Sequence, residues 1–158
     1  MTDFIQSVFA LLVTFTILVT VHELGHYMVA RLFGVHVLKF SLGFGAPIYK
    51  TTLSKNLSRN PPENNEPEFA HTEFILSAIP LGGYVKFFGD RNVFSQSDQE
   101  ELIKKYNEED RKKLFVLKPI YQRSIIVAAG PIANFILAAV IFLFIYMFAG
   151  KDFTPAVI

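Results

Sequence analysis

The longest uncharged stretch of the chain constrains its fold more than any other feature. Residues Ser124 to Ala149 are 26 consecutive positions without Asp, Glu, Lys or Arg. A helix needs about 20 apolar residues to cross roughly 30 Å of hydrocarbon, and this stretch exceeds the usual length of a helix in a globular core. Gly130 and Pro131 lie within it, and a membrane span tolerates both when neighbouring helices satisfy the backbone. We therefore predict a transmembrane helix over 119–150.

A second apolar stretch predicts another transmembrane helix, with bounds 1–33. No residue from Ile5 to Val21 carries a formal charge. A signal peptide is the competing interpretation, but this stretch has no basic residue before it and no small-residue cleavage site after it. Of the 15 basic residues, 14 lie between Arg31 and Arg123. The positive-inside rule then places this middle segment in the cytoplasm and both termini on the opposite side of the membrane.

Composition excludes several other classes of protein. Charged residues make up 18% of the chain, whereas a soluble domain has about a quarter. Basic and acidic residues number 15 and 14, which leaves a net charge of +1 and excludes a strongly basic nucleic-acid-binding protein. The chain has no cysteine, so it has no disulfide framework, no thiolate metal site and no catalytic thiol.

One short motif places three reactive side chains within a single turn of the first predicted span. The sequence there is His22-Glu23-Leu24-Gly25-His26. Positions i and i+4 of a helix face the same way, so the two histidines can bind one zinc ion, and Glu23 can act as general base on the attacking water. Ionisable residues inside a membrane are costly and indicate function. The motif therefore predicts Zn²⁺ as the cofactor.

Four blocks of sequence together resemble the site-2 protease family of intramembrane zinc metalloproteases, in the bacterial branch called regulator of sigma-E protease. The blocks are His22–Arg31, Phe40–Gly45, Ile79–Lys86 and Ala129–Phe135. The resemblance implies a multi-pass enzyme of the bacterial inner membrane that cleaves substrate helices within the bilayer, in regulated intramembrane proteolysis. The expected partners are the lipid bilayer and a transmembrane protein substrate, typically an anti-sigma factor or a remnant signal peptide.

The same resemblance extends to residues outside the zinc motif. Asn134, Gly82 and Gly83 fall in matched blocks and are candidates for contact with the substrate or for support of the site. For Asn134, an interhelical hydrogen bond is an equally weighted alternative. The third zinc ligand of the family is an Asp within a Leu-Asp-Gly motif of a later span, and this motif does not occur in the chain. We therefore expect the third ligand beyond Ile158, and expect the chain by itself to be inactive.

The middle of the chain is predicted to be β-rich at first and then polar. Segment 34–91 is expected to form a membrane-associated β-rich unit, with a polar loop over 54–68. A capping box at Ser97–Glu100 predicts the start of a polar cytoplasmic helical segment within 92–118. The resemblance implies that 151–158 begins a PDZ-type domain.

Together these features predict a membrane protein that is mainly α with a small β-sheet. Two transmembrane helices are joined by a cytoplasmic β-rich segment and a polar helix. The predicted activity is that of a zinc metalloendopeptidase, and two alternatives stay open: a membrane metal-binding or transport module, and a catalytically incomplete scaffold. An intact Glu23 favours the enzyme over the scaffold. His71 and Glu73 are the residues to test if the third ligand lies within the chain.

Overall fold

The computed structural model describes residues 2–54, 71–90, 103–104 and 106–149. The elements, in chain order, are α1 (Thr2–Leu32), β1 (Val37–Ser54), β2 (His71–Phe87), α2 (Glu108–Arg111) and α3 (Ile120–Ala149). The helices α1 and α3 occupy the two stretches predicted to span a membrane, and both are long and apolar enough to do so.

The two long helices expose their apolar side chains. The most apolar part of α1 is 0% buried within the described chain, and that of α3 is 17% buried. Phe9 of α1 is 69% exposed, and Phe135 of α3 is 76% exposed. A core helix of a soluble protein buries such residues, whereas the interior of a bilayer accepts them on the outside of a helix. The exposure therefore agrees with the predicted membrane protein.

The strands β1 and β2 form a small antiparallel sheet that folds back on itself. Residues 49–54 of β1 pair with residues 71–76 of β2. Residues 39–42 have partners on two sides, 73–76 and 83–86. In this arrangement the run 83–86 lies along one edge of the sheet and the run 49–54 along the other.

Glycines permit the irregular bend in the middle of β1. Gly43 and Gly45 have φ angles of +82° and +89°, which residues with a Cβ adopt only at a cost. A Cβ at position 43 would also lie 2.6 Å from the carbonyl oxygen of Ile79. The pairing register shifts at this point, and β1 can therefore turn from one set of partners to the next.

A small hydrophobic core joins the sheet to one end of both long helices. Its buried members are Ala30, Val35, Val37, Phe87 and Ile126. Nearby, Nζ of Lys118 donates a hydrogen bond of 2.6 Å to the carbonyl of Phe33, just beyond the end of α1. The beginning of α3 is thus fixed against the end of α1 by packing and by a hydrogen bond.

Parts of the predicted middle segment lie outside the described residues. These are the polar loop beyond Ser54, the capping box at Ser97–Glu100 and the segment 151–158. From Tyr106 onward the chain forms the short helix α2 and then turns, so this part of the predicted polar helix is not continuous. A separate cap explains the break, because Oδ1 of Asn107 accepts the backbone N–H of Asp110 at 2.9 Å and starts a new helix there.

Candidate metal centre

The helices α1 and α3 approach each other through small residues at the height of the motif. A Cβ at Gly25 would lie 2.6 Å from the carbonyl oxygen of Ala129 and 2.8 Å from the Cβ of Ala133. Small residues allow two helix backbones to come this close. His26 contacts Ile126, and the earlier His22 contacts the later Asn134. The two helices therefore pack antiparallel, with the motif against the first half of α3.

The two histidines of the motif converge on one point. The Nε2 atoms of His22 and His26 lie 3.2 Å apart, and the rings meet nearly at right angles, at 83°. Two nitrogens bound tetrahedrally to one zinc ion at about 2.0–2.1 Å would be about 3.3–3.4 Å apart. The pair therefore fits two positions of a tetrahedral zinc site, as the helical spacing of the motif predicts.

The other ring nitrogen of each histidine faces α3. Nδ1 of His26 donates a hydrogen bond of 2.8 Å to the carbonyl oxygen of Ile126. Because Nδ1 of that ring carries the proton, Nε2 keeps its lone pair for a metal. Nδ1 of His22 lies 3.4 Å from Nδ2 of Asn134. A backbone carbonyl and a side-chain amide of α3 therefore contact the Nδ1 atoms of the two rings, on the side opposite Nε2.

Gly130 lets α3 lie directly against the two converging imidazole rings. A Cβ at position 130 would overlap Nε2 of His26 and lie 2.7 Å from Nε2 of His22. A side chain at this position would therefore push both rings away from their positions. In the sequence Gly130 interrupts an apolar stretch and lies in the matched block Ala129–Phe135. Its role at the site depends on a contact between residues about a hundred positions apart.

The edge of the sheet packs against α1 beside the proposed catalytic base. A Cβ at Gly83 would lie 3.1 Å from Cγ of Glu23, 3.4 Å from Cγ1 of Val19 and 2.7 Å from the carbonyl oxygen of Ser41. Val19 and Glu23 are one helical turn apart. Gly83 therefore lets the strand lie directly over this turn of α1.

Gly82, the neighbouring candidate, has a different role. Its φ is +105°, and a Cβ there would overlap the ring of Phe44. It allows the chain to pass over an aromatic side chain of β1. Of the two glycines, Gly83 is the one that the fold brings to Glu23.

The structure places the two other candidate ligands, His71 and Glu73, in strand β2. The backbone carbonyl oxygen of His71 accepts a hydrogen bond of 3.3 Å from Nε2 of His36. The carboxylate of Glu73 lies 3.2 Å from Nζ of Lys39 and 2.9 Å from Nζ of Lys50. Across the described ranges, no group of three or more His, Cys, Asp or Glu is placed to hold a metal ion.

The ion pairs of Glu73 also affect its acidity. Burial raises the pKa of this carboxyl, but the ammonium groups of Lys50 and Lys39, through hydrogen bonding and charge together, outweigh burial and hold the pKa below its usual value. Glu73 therefore stays ionised and connects three segments of the sheet.

Comparison with known proteins decides the family. The sequence model of peptidase family M50 matches residues 10–59 and 64–157 of the chain. The chain belongs to peptidase family M50. This match confirms the predicted relationship to site-2 proteases. The region of similarity includes most of α1, the sheet and all of α3.

Three curated relatives of this M50 chain come from different bacteria. Metalloprotease MmpA of Caulobacter vibrioides is 38% identical over 165 residues, which cover 100% of this chain and 38% of the relative. A protein of Xylella fastidiosa is 37% identical over 157 residues, covering 99% of this chain and 30% of the relative. A protein of Agrobacterium fabrum is 41% identical over 143 residues, covering 90% and 34%. The M50 chain therefore spans about a third of the length of these relatives.

The names of these relatives agree with part of the predicted chemistry. The first is called a metalloprotease, and the names of the other two begin "Putative zinc metalloprotease". Family and names together support a metalloprotease with zinc as its metal. The donor set fits that metal, because imidazole nitrogens are ordinary zinc ligands.

Proposed function

We propose that the M50 chain carries the general base and two of the zinc ligands of an intramembrane metalloprotease. The enzyme hydrolyses peptide bonds within transmembrane segments of other membrane proteins, in regulated intramembrane proteolysis of substrates of the anti-sigma factor type. One observation carries the proposal. The Nε2 atoms of His22 and His26 lie 3.2 Å apart, beside Glu23, within a helix that is apolar enough to cross a membrane.

In this proposal His22 and His26 hold zinc through Nε2, and the third protein ligand comes from outside the described residues. Zinc, when bound, supplies Lewis acidity and makes water a competent nucleophile near pH 7. The chain itself contributes the orientation of both imidazoles, because α3 holds each Nδ1 atom. Through Gly130, α3 also lies against both rings without displacing them.

Glu23 is the proposed proton carrier. It follows His22 directly in α1 and is half-buried between this helix and the edge of the sheet. Its carboxylate would take a proton from the attacking water and then give that proton to the leaving amine nitrogen. A positioned general base of this kind contributes about 10²–10⁴-fold to the rate.

The neighbouring sheet edge is the proposed docking place for the substrate. Among the described pairings, residues 83–86 pair on one side only, with 39–42, so their other side can accept a further strand. A transmembrane helix must be unwound before a peptide bond within it becomes accessible, and addition of a strand holds a peptide extended. Because Gly83 packs against Glu23, this edge would place an extended substrate beside the base.

We further propose that the chain lies in the bacterial inner membrane with its middle segment in the cytoplasm. The lipid bilayer would then surround the exposed apolar faces of α1 and α3. Reporter fusions within 55–70 and after Ile158 test this arrangement, since the distribution of basic residues predicts that they lie on opposite sides. Reporters on the same side would contradict the two-span topology.

Substitution of the base tests the catalytic proposal. Glu23→Gln keeps the shape of the side chain but cannot accept the proton, so the protein should retain zinc and lose cleavage by at least about 100-fold. His22→Ala should instead reduce bound zinc. The measurements are metal content and cleavage of a membrane protein substrate by the full-length protein, in detergent or in lipid.

The matched control is Glu108→Gln, the same substitution on the exposed helix α2. This variant should keep both zinc and activity. Full activity of Glu23→Gln would refute the proposed mechanism, and unchanged zinc in His22→Ala would refute the proposed metal site.

A further inference from the structure

One face of α3 packs along the His22–His26 motif of α1. Ile126, Gly130 and Asn134 are each four positions apart and span about 80° of the helix circumference. Ile126 contacts His26, Gly130 faces both Nε2 atoms, and Asn134 contacts His22. A single face of the second long helix thus contacts both imidazoles of the first.

We propose that Asn134 is a positioning residue, which fixes His22 in the ring tautomer and orientation that bind a metal through Nε2. The inference rests on the proposed zinc site and goes beyond it, because it assigns a specific task to a residue that is not a ligand. Without such a partner, the imidazole of His22 could carry its proton on either nitrogen.

A comparison of the two histidines shows why the tautomer of His22 needs a partner that fixes it. The proton of His26 is fixed on Nδ1 by the carbonyl of Ile126 at 2.8 Å. The side chain of Ile126 is 0% exposed, so packing holds that carbonyl in place. His22 needs an acceptor at the same ring position, and the group that lies against its Nδ1 atom is the amide of Asn134, at 3.4 Å.

The amide can supply that acceptor. Oδ1 of Asn134 is buried and has no hydrogen-bond partner among the described residues. The oxygen and nitrogen of an amide exchange places through a half-turn about the Cβ–Cγ bond, with almost no change in shape. After this turn Oδ1 accepts the Nδ1–H of His22. The buried oxygen gains its partner, and Nε2 of His22 gains the free lone pair that a metal requires.

The simpler role of Asn134 is an interhelical hydrogen bond that only holds α1 and α3 together. The two roles differ in what a substitution changes. An interhelical bond affects the stability of the helix pair, whereas a positioning residue affects metal affinity and the spectrum of the bound metal. Metal binding therefore distinguishes the two roles without any measurement of proteolysis.

The experiment compares Asn134→Leu, which removes the acceptor at similar volume, with Asn134→Asp, which keeps an acceptor oxygen. Zinc affinity is measured at fixed pH by competition with a chromogenic chelator, and site geometry by the visible absorption of bound Co²⁺. Asn134→Leu should bind zinc about 10–100-fold more weakly and change the Co²⁺ spectrum. Asn134→Asp should stay within about threefold of the unsubstituted protein.

The control is Phe135→Leu, one position along α3, where the side chain is 76% exposed. It should leave zinc affinity and the Co²⁺ spectrum unchanged. Unchanged zinc affinity in Asn134→Leu would overturn the inference. An equal loss in Asn134→Leu and Asn134→Asp would also overturn it, because the acceptor atom would then be irrelevant.

A further variant separates this inference from the proposed function. His22→Ala removes a proposed ligand. If His22→Ala binds zinc as well as the unsubstituted protein, the proposed metal site itself fails. If His22→Ala loses zinc and Asn134→Leu keeps it, the metal site stands and the role assigned to Asn134 fails.

Discussion

Addition of a single methyl group at Gly130 should destroy the metal centre while leaving the helix intact. In Gly130→Ala, the new Cβ would lie 2.7 Å from Nε2 of His22 and closer still to Nε2 of His26. Unstrained contacts between heavy atoms begin at about 3.4–3.5 Å. Relief of the clash therefore requires a shift of about 0.7 Å for His22, and a larger one for His26.

This shift is large compared with what zinc tolerates. Distances from the metal to its ligands in functional sites vary by about 0.2 Å, so the two nitrogens cannot keep their positions around one ion. We expect zinc affinity to fall more than the 10–100-fold typical of an outer contact, which amounts to at least about 2.7 kcal/mol of binding free energy.

The stability of the zinc-free protein should change little, because imidazole rings can rotate away from the new methyl group. Replacement of Gly by Ala inside a helix is favourable by up to about 1 kcal/mol. The assay is zinc competition with a chelator, combined with thermal unfolding of the zinc-free protein. The control Ala128→Leu adds a larger group to an exposed position of the same helix. Zinc affinity of Gly130→Ala within about threefold of the unsubstituted protein would refute this account of the site.

Two further predictions concern the sheet. Gly83→Ala should push the strand away from Glu23 and Ser41, so that cleavage falls at least about tenfold while zinc affinity stays the same; an equal loss of zinc would contradict this separation of roles. Because the pKa of Glu73 is lower in the folded protein, its carboxylate stabilises the sheet above its ordinary pKa of 4.5, and this stabilisation is lost as pH falls through the folded pKa. The difference in thermal stability between the unsubstituted protein and Glu73→Gln should therefore shrink below pH 4.5, and a difference that does not change with pH would show that the ion pairs with Lys39 and Lys50 contribute nothing.

The sequence alone predicts those parts of the structure that depend on the local spacing of residues. The spacing of His22 and His26 places both rings on one face of a helix, and their nitrogens do converge in the structure. The lengths of the two apolar stretches likewise predicted two helices able to span a membrane. In each case the property depends on residues within a few turns of one another.

The sequence was insufficient where the site depends on contacts between distant segments. The partner of His26 is a backbone carbonyl, that of Ile126, and every residue has one, so side-chain identity cannot reveal it. The matched block Ala129–Phe135 includes Gly130 and Asn134, but the sequence does not show how α3 is rotated about its axis. That rotation decides whether they face lipid or the histidines, and it is set by the packing of α3 against Gly25.

The roles of Gly82 and Gly83 are likewise predicted only in part by the sequence. The sequence marked Gly82 and Gly83 together, but only the direction of the chain at each position separates their roles. Gly82 takes a positive φ of +105° beside Phe44, whereas Gly83 lies against Glu23. Neighbouring residues of a strand point to opposite faces, so assigning a face requires the pairing register, which local sequence does not fix.

The four-residue spacing along α3 makes the site sensitive to helical phase. One residue inserted between Gly130 and Asn134 would rotate everything after it by about 100° and move it along the axis by about 1.5 Å. The amide would then leave the side of α3 that faces His22, although every side chain of the site would still be present. An insertion after Asn134 would leave Ile126, Gly130 and Asn134 in phase with α1 and displace only the exposed apolar turns. Among proteins built on this helix pair, the first half of α3 should therefore accept substitutions on its outward face but no change of length, while its second half should vary in length with the thickness of the membrane.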